Sequence, residues 1–117
     1  MSVEQDSIHL QSNYMTKLTG IILAHNVENE IIPALKTLSF YNELIVVDTN
    51  TGSTDKTVEI SKRYGAKIVK SPSYNFSKWR NDGAAEARGE WLLYLDSDER
   101  IPKKLQKEII DTINNPI

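Results

Sequence analysis

The chain has 117 residues, 39% of them hydrophobic and 26% charged, with a formal net charge of -2 and no cysteine. Such a length makes one small domain with its own core, and the composition is globular rather than disordered, fibrous or membrane-embedded. The faintly acidic balance argues against a nucleic-acid binder, whose phosphate footprint is strongly basic. The lack of cysteine excludes disulfides, thiolate zinc sites and a thiol nucleophile. No run approaches the roughly 18 apolar residues of a membrane span. The first segment is polar, with Glu4 and Asp6, and does not read as a secretory leader. A cytoplasmic protein is expected, with residues 1–17 as a disordered tail.

In chain order, Leu18 to Ala24 reads as a short buried strand. Asn26 follows as a helix N-cap, ahead of Ile31, Ile32, Leu35 and Leu38 at helical spacing. Glu43 to Asp48 is a second strand, and the turn-rich Thr49 to Thr54 leads to a helix with Asp55 in its first turn and Gly65 just past its end. Ala66 to Lys70 is a third strand, broken by Ser71-Pro72-Ser73, and a helix from Ser77 to Arg88 is closed by Gly89. Trp91 to Leu95 is a fourth strand that stops abruptly at Asp96-Ser97-Asp98-Glu99. After Pro102, Leu105, Ile109 and Ile113 fall four apart and mark the stripe of a last helix. Strand and helix alternate with short links, so the fold class is α/β, with four mainly parallel strands.

Three strand ends finish on polar side chains: Ala24-His25-Asn26, Asp48, and Asp96-Ser97-Asp98. In a parallel sheet they share one edge, where open α/β sheets bind ligands. Asp96 and Asp98 flank one small residue, and paired carboxylates at a strand end suit a hard cation such as Mg²⁺ or Mn²⁺ that also takes phosphate oxygens. The same three residues suit, and taken alone favour, a cap before the helix at Pro102. Asp48 suits either a hydrogen bond to a base or ribose, or the start of the turn through Ser53-Thr54-Asp55. Lys78 and Arg80, early in the third helix, read either as phosphate or nucleobase contacts or as a solvated face. Trp79 and Trp91 read as packing residues. Lys103, Lys104 and Lys107 read as the wet face of the last helix, or a weak contact for an acidic membrane surface.

Taken together, Ala24-His25-Asn26 with Glu28 and Glu30, Glu43 to Asp48 followed by Gly52-Ser53-Thr54-Asp55, Tyr64-Gly65-Ala66-Lys67, Phe76-Ser77-Lys78-Trp79-Arg80-Asn81, and Gly89 through Glu99 resemble the nucleotide-binding half of a family 2 glycosyltransferase with the Rossmann-like GT-A fold. Within the family, Phe76 to Asn81 and Leu95 to Glu99 are most similar to the β-1,4-glucosyltransferases of lipopolysaccharide core synthesis. The resemblance makes residues 18–117 a truncated donor-binding domain. It implies that Ala24, His25 and Asn26 line a nucleobase pocket, that Asp48 bonds the base or ribose, and that Arg80 and Ser97 face the nucleotide. Asp96 would meet ribose and metal, and Asp98 would be the direct ligand of Mg²⁺ or Mn²⁺. The implied reaction is inverting transfer from a nucleotide-diphosphate sugar to a glycan or lipid-linked saccharide in cell-envelope biosynthesis, in the cytoplasm at the inner face of the membrane.

Thr49-Asn50-Thr51 makes the loop between Asp48 and Gly52 longer than the family's. Inverting transfer also needs a general base near the acceptor hydroxyl, which the family draws from its second half. The catalytic base is therefore expected outside these residues. A non-catalytic nucleotide-sugar-binding module, or a subunit completed by a second chain, is the alternative.

Overall fold

The structure, a computed structural model, describes residues 1–5, 17–37 and 40–115. Its strands are β1 (Ser2–Gln5), β2 (Leu18–Ala24), β3 (Glu43–Thr49), β4 (Lys67–Ser71) and β5 (Trp91–Asp96), and its helices are α1 (Ile31–Thr37), α2 (Thr57–Arg63), α3 (Phe76–Glu86) and α4 (Lys103–Asn114). They form a single sheet in the order β1-β5-β2-β3-β4. The four strands expected from the sequence are mutually parallel.

β1 was not expected. Ser2 to Gln5 pairs antiparallel with β5, Ser2 opposite Tyr94 and Gln5 opposite Trp91, which corrects the disordered-tail expectation for these residues. The physical reason is the edge of β5, a row of backbone donors and acceptors that an extended segment satisfies. The rest of the expected tail, residues 6–16, and Leu38 lie outside the described residues.

Both faces of the sheet are covered, which explains why its strands read as unbroken apolar runs. Ile22, Val46, Leu93 and Leu95 face α1 and α4, packing with Ile31, Leu35, Ile109 and Ile113. Ile21, Ile45, Val47 and Tyr94 face the other way, toward Trp79 and Ala84 of α3. The contact with α3 is close: a Cβ on Gly83 would stand 2.8 Å from Val47 Cγ2 and 3.1 Å from Ile21 Cγ2, so a bare Cα lets the helix settle on the sheet. Among the described residues no helix is long and apolar enough to cross a membrane.

Strand order places the site. The chain runs β2, β3, β4 in one direction and then crosses back to lay β5 on the other side of β2. That reversal opens a crevice at the carboxyl ends of β2 and β5, the position where ligands of open α/β sheets bind.

Candidate functional site

Leu23 is the register partner of Asp96, and Ala24 that of Asp48. The three expected strand ends therefore do reach one sheet edge. Asp96 and Asp98 are exposed, while Ser97 between them is 8% exposed. Neither aspartate side chain forms a hydrogen bond or ion pair with another described residue. The turn beneath them is tied down. Glu99 N–H donates to Asp96 O at 3.0 Å, and Glu99 Oε1 accepts the Asp96 N–H at 2.8 Å. That backbone hydrogen bond, with help from the Met1 amine 3.1 Å from Glu99 Oε2, holds the Glu99 carboxyl below its usual range against a smaller opposing effect of burial.

A shallow groove of about 300 Å³ gathers Leu23, Ala24, His25, Glu30, Thr49, Phe76, Trp79, Asp96, Ser97 and Asp98. His25 Nδ1 lies 3.1 Å from the Thr49 carbonyl; a carbonyl only accepts, so Nδ1 carries the proton and Nε2 is left as an acceptor beside the Asn26 amide. An adjoining hollow of about 220 Å³ shares Leu23, Phe76 and Asp96 and adds Arg80, Tyr94, Met1 and Ser2. There the Arg80 guanidinium lies 4.0 Å from the Tyr94 ring centroid and donates to Ser2 Oγ at 2.9 Å and Glu4 Oε1 at 3.0 Å.

Asn26 is not the N-cap of α1, which begins five residues later at Ile31. Its backbone is left-handed, with φ of 50°, and its Oδ1 accepts the N–H groups of Thr54 at 2.7 Å and Asp55 at 3.3 Å. The side chain locks the β2–α1 loop to the β3–α2 loop. Asp55 in turn precedes α2 instead of lying in its first turn: its Oδ1 accepts the Thr57 N–H at 2.9 Å. Burial pushes the Asp55 carboxyl up, but bonds from the Thr57 hydroxyl and N–H and the Glu28 N–H together hold it below its usual value.

Asp48 is 4% exposed and takes both the N–H and the hydroxyl of Ser53 on Oδ1, at 2.9 and 2.7 Å. The longer loop makes this closure: Asn50 is left-handed at φ 59°, and Gly52, at φ 89°, donates its N–H to Thr49 O. Asp48 lines a separate hollow with Thr51, Gly52, Ser53, Lys70 and Pro72. Two strand spacings, roughly 10 Å, separate β3 from β5. Lys78 pairs with Asp82 at 3.2 Å on the exposed face of α3, which favours its solvated reading. Glu30, Thr49, Phe76 and Trp79 were not expected in the groove. Glu30, Phe76 and Trp79 belong to the quoted motifs, but no spacing aims them at the Asp96-Ser97-Asp98 turn.

The donor set fits a divalent cation of the hard kind. Two exposed carboxylates on one turn supply oxygen ligands, and no group of three or more His, Cys, Asp or Glu among the described residues could hold a metal alone. That suits Mg²⁺ or Mn²⁺, which keeps waters and completes its shell with substrate phosphate.

Residues 19–116 match the family described as Glycosyl transferase family 2. An uncharacterized glycosyltransferase of Rickettsia typhi is 33% identical over 96 residues, covering 81% of this chain and 32% of the relative. The poly(ribitol-phosphate) beta-N-acetylglucosaminyltransferase TarS of Staphylococcus aureus is 31% identical over 80% of this chain and 18% of its own length, and its crystal structure superposes with a TM-score of 0.67 at 29% identity over 84% of this chain and 19% of that one. Glucosyl-3-phosphoglycerate synthase of Mycobacterium tuberculosis, solved with UDP, shares the fold at 22% identity, with a TM-score of 0.66 over 86% of this chain and 41% of that one. The chain thus spans about a third of the length of the rickettsial relatives it matches. With most of its length matched to the family and its sheet superposing on family structures, the chain belongs to glycosyl transferase family 2.

Proposed function

We propose that this chain is the donor-binding portion of a glycosyltransferase that moves a sugar from a nucleoside-diphosphate sugar to a glycan or lipid-linked acceptor with inversion, as part of cell-envelope biosynthesis. The observation that carries the reading is the pair of carboxylates, Asp96 and Asp98, without a partner among the described residues, at the switch point between β2 and β5. Asp98 would be the direct metal ligand, with Asp96 shared between metal and ribose. A cation held there supplies Lewis-acid neutralisation of charge on the leaving nucleoside diphosphate. His25, Ala24 and Asn26 form the floor under the nucleoside, and Arg80 faces the phosphates, while the buried hydroxyl of Ser97, expected to face the nucleotide, is instead given to Glu30. The distance from β3 to β5 lets one nucleotide reach from Asp48 to Asp96, the base end lying by the Ser53 loop. The mycobacterial relative, solved with Mn²⁺, UDP-glucose and phosphoglyceric acid, supports a metal, a nucleotide sugar and an acceptor as the ligand set. Under this reading the protein works in the cytoplasm, resting on the inner face of the membrane through Lys103, Lys104 and Lys107 of α4.

Calorimetric titration with UDP, GDP and CDP, with and without Mn²⁺, tests this: one nucleotide should bind with metal-dependent affinity. Binding of none of them by the folded protein would refute it.

A second reading, a nucleotide-sugar-binding module completed by another polypeptide, is favoured by one observation. Glu99, the next carboxylate along the chain, is committed to the Asp96 N–H and the Met1 amine and is not free to serve as base. Release of sugar from the matching nucleotide sugar by the isolated chain would favour the enzyme over the module.

A further inference from the structure

Two loops meet beneath the Asp96-Ser97-Asp98 turn. Ser97 is buried, and its hydroxyl donates to Glu30 Oε1 at 2.8 Å. Arg100 closes a second link between the same segments: Nη1 donates to Ser97 O at 2.8 Å and Glu99 O at 2.7 Å, and Nη2 donates to Glu30 O at 3.0 Å. Residue 30 stands immediately before α1, on the β2 side of the crevice, while residues 96–100 follow β5 on the other side. The turn bearing both exposed carboxylates is thereby tied to the opposite wall of its own groove, and Glu30 also lines that groove. A carboxylate turn can hold a cation well only if its oxygens are already fixed, and the groups that fix ligands commonly matter about 10- to 100-fold for metal affinity.

We propose that Glu30 is a positioning residue: by accepting the Ser97 hydroxyl it sets the Asp96-Ser97-Asp98 turn for metal-nucleotide binding, with Arg100 bracing the same junction through backbone carbonyls. Glu30 acts through Ser97 and is not itself a ligand. This inference rests on the donor-binding reading above.

The test is a double-mutant cycle on UDP affinity, measured by calorimetry with and without Mn²⁺ in the full chain. Glu30→Ala and Ser97→Ala should each weaken Mn²⁺-dependent UDP binding about tenfold or more, leaving metal-free UDP binding within about twofold. The double variant should lose no more than the worse single variant, since both remove one bond. Glu30→Gln, whose amide oxygen still accepts the hydroxyl, should restore affinity to within about twofold of the parent. Ser97→Ala, the smaller change, keeps the test alive if Glu30→Ala does not fold. Additive losses in the cycle, parental Mn²⁺-dependent affinity in both single variants, or a Glu30→Gln protein as weak as Glu30→Ala would each overturn the positioning role. The parent protein separates this failure from the larger one: metal-dependent binding by the parent with unaffected variants removes only the role of Glu30, whereas no metal-dependent binding by the parent removes the donor-binding reading and this inference with it.

Discussion

Asn26 Oδ1 accepts the Thr54 N–H at 2.7 Å, so one side chain joins the loop after β2 to the loop after β3. Asn26→Ala removes that acceptor and puts an alanine at φ 50°, a conformation asparagine tolerates better than other side chains. The variant is expected to lose about 1–3 kcal/mol of stability in urea denaturation. Asn26→Gly, which relieves the backbone but not the lost bonds, should recover part of it. Equal losses in the two variants would place the whole effect in the hydrogen bonds.

Gly83→Ala sets helix propensity against packing. Alanine favours a helix interior over glycine by about 1 kcal/mol, but its methyl would meet Val47 Cγ2 at 2.8 Å. Overpacking of this kind costs about 1–3 kcal/mol, so a lower urea midpoint is expected. A stabilised variant would mean that α3 lifts off the sheet freely.

Asp82 gives the pH dependence a sign. Hydrogen bonds from Ser71 and Lys78 hold its carboxyl below the usual carboxylate range. A carboxyl depressed in the folded state contributes stability above its unfolded pKa and loses it as pH falls through the folded one. Asp82→Asn should therefore show its largest deficit against the parent at neutral pH, and urea denaturation curves of the two should converge in strong acid. A deficit that is constant with pH would contradict this.

Arg80 stacks on Tyr94 and lines the same hollow as Asp96. Arg80→Ala is expected to weaken UDP binding about tenfold, and Arg80→Lys should not restore it, because an ammonium lacks the planar stacking face. Lysine at parental affinity in calorimetry would reduce the residue to a point charge.

The parallel strands and the position of the Asp96-Ser97-Asp98 turn were legible because both faces of β2, β3 and β5 are buried: continuous apolar runs announce such strands, and the run from Trp91 ends visibly at Asp96. β1 was not legible, because Ser2 to Gln5 forms a strand only by borrowing the open edge of β5, which no local pattern records. Asn26 misled for a related reason. Its residue type suits an N-cap, but its bonds run to Thr54 and Asp55, some 28 positions along the chain. Asp48 sat between two readings, and its bonds to Ser53 make the turn role concrete while leaving it at the ligand edge. Glu30 carried no signal toward Ser97, 67 positions away, since a glutamate in a polar loop is ordinarily just solvated.

The most direct measurement is UDP binding by the parent chain and by Asp98→Ala, each titrated calorimetrically with and without Mn²⁺. The parent should bind about tenfold or more tightly with the cation, as expected when a carboxylate pair and a diphosphate share one metal shell. Asp98→Ala, folded by circular dichroism, should lose that gain while retaining the weak metal-free binding. A parent whose UDP affinity ignores Mn²⁺, or an Asp98→Ala protein that keeps the full metal gain, would contradict the assignment of Asp96-Ser97-Asp98 as the donor-side metal turn.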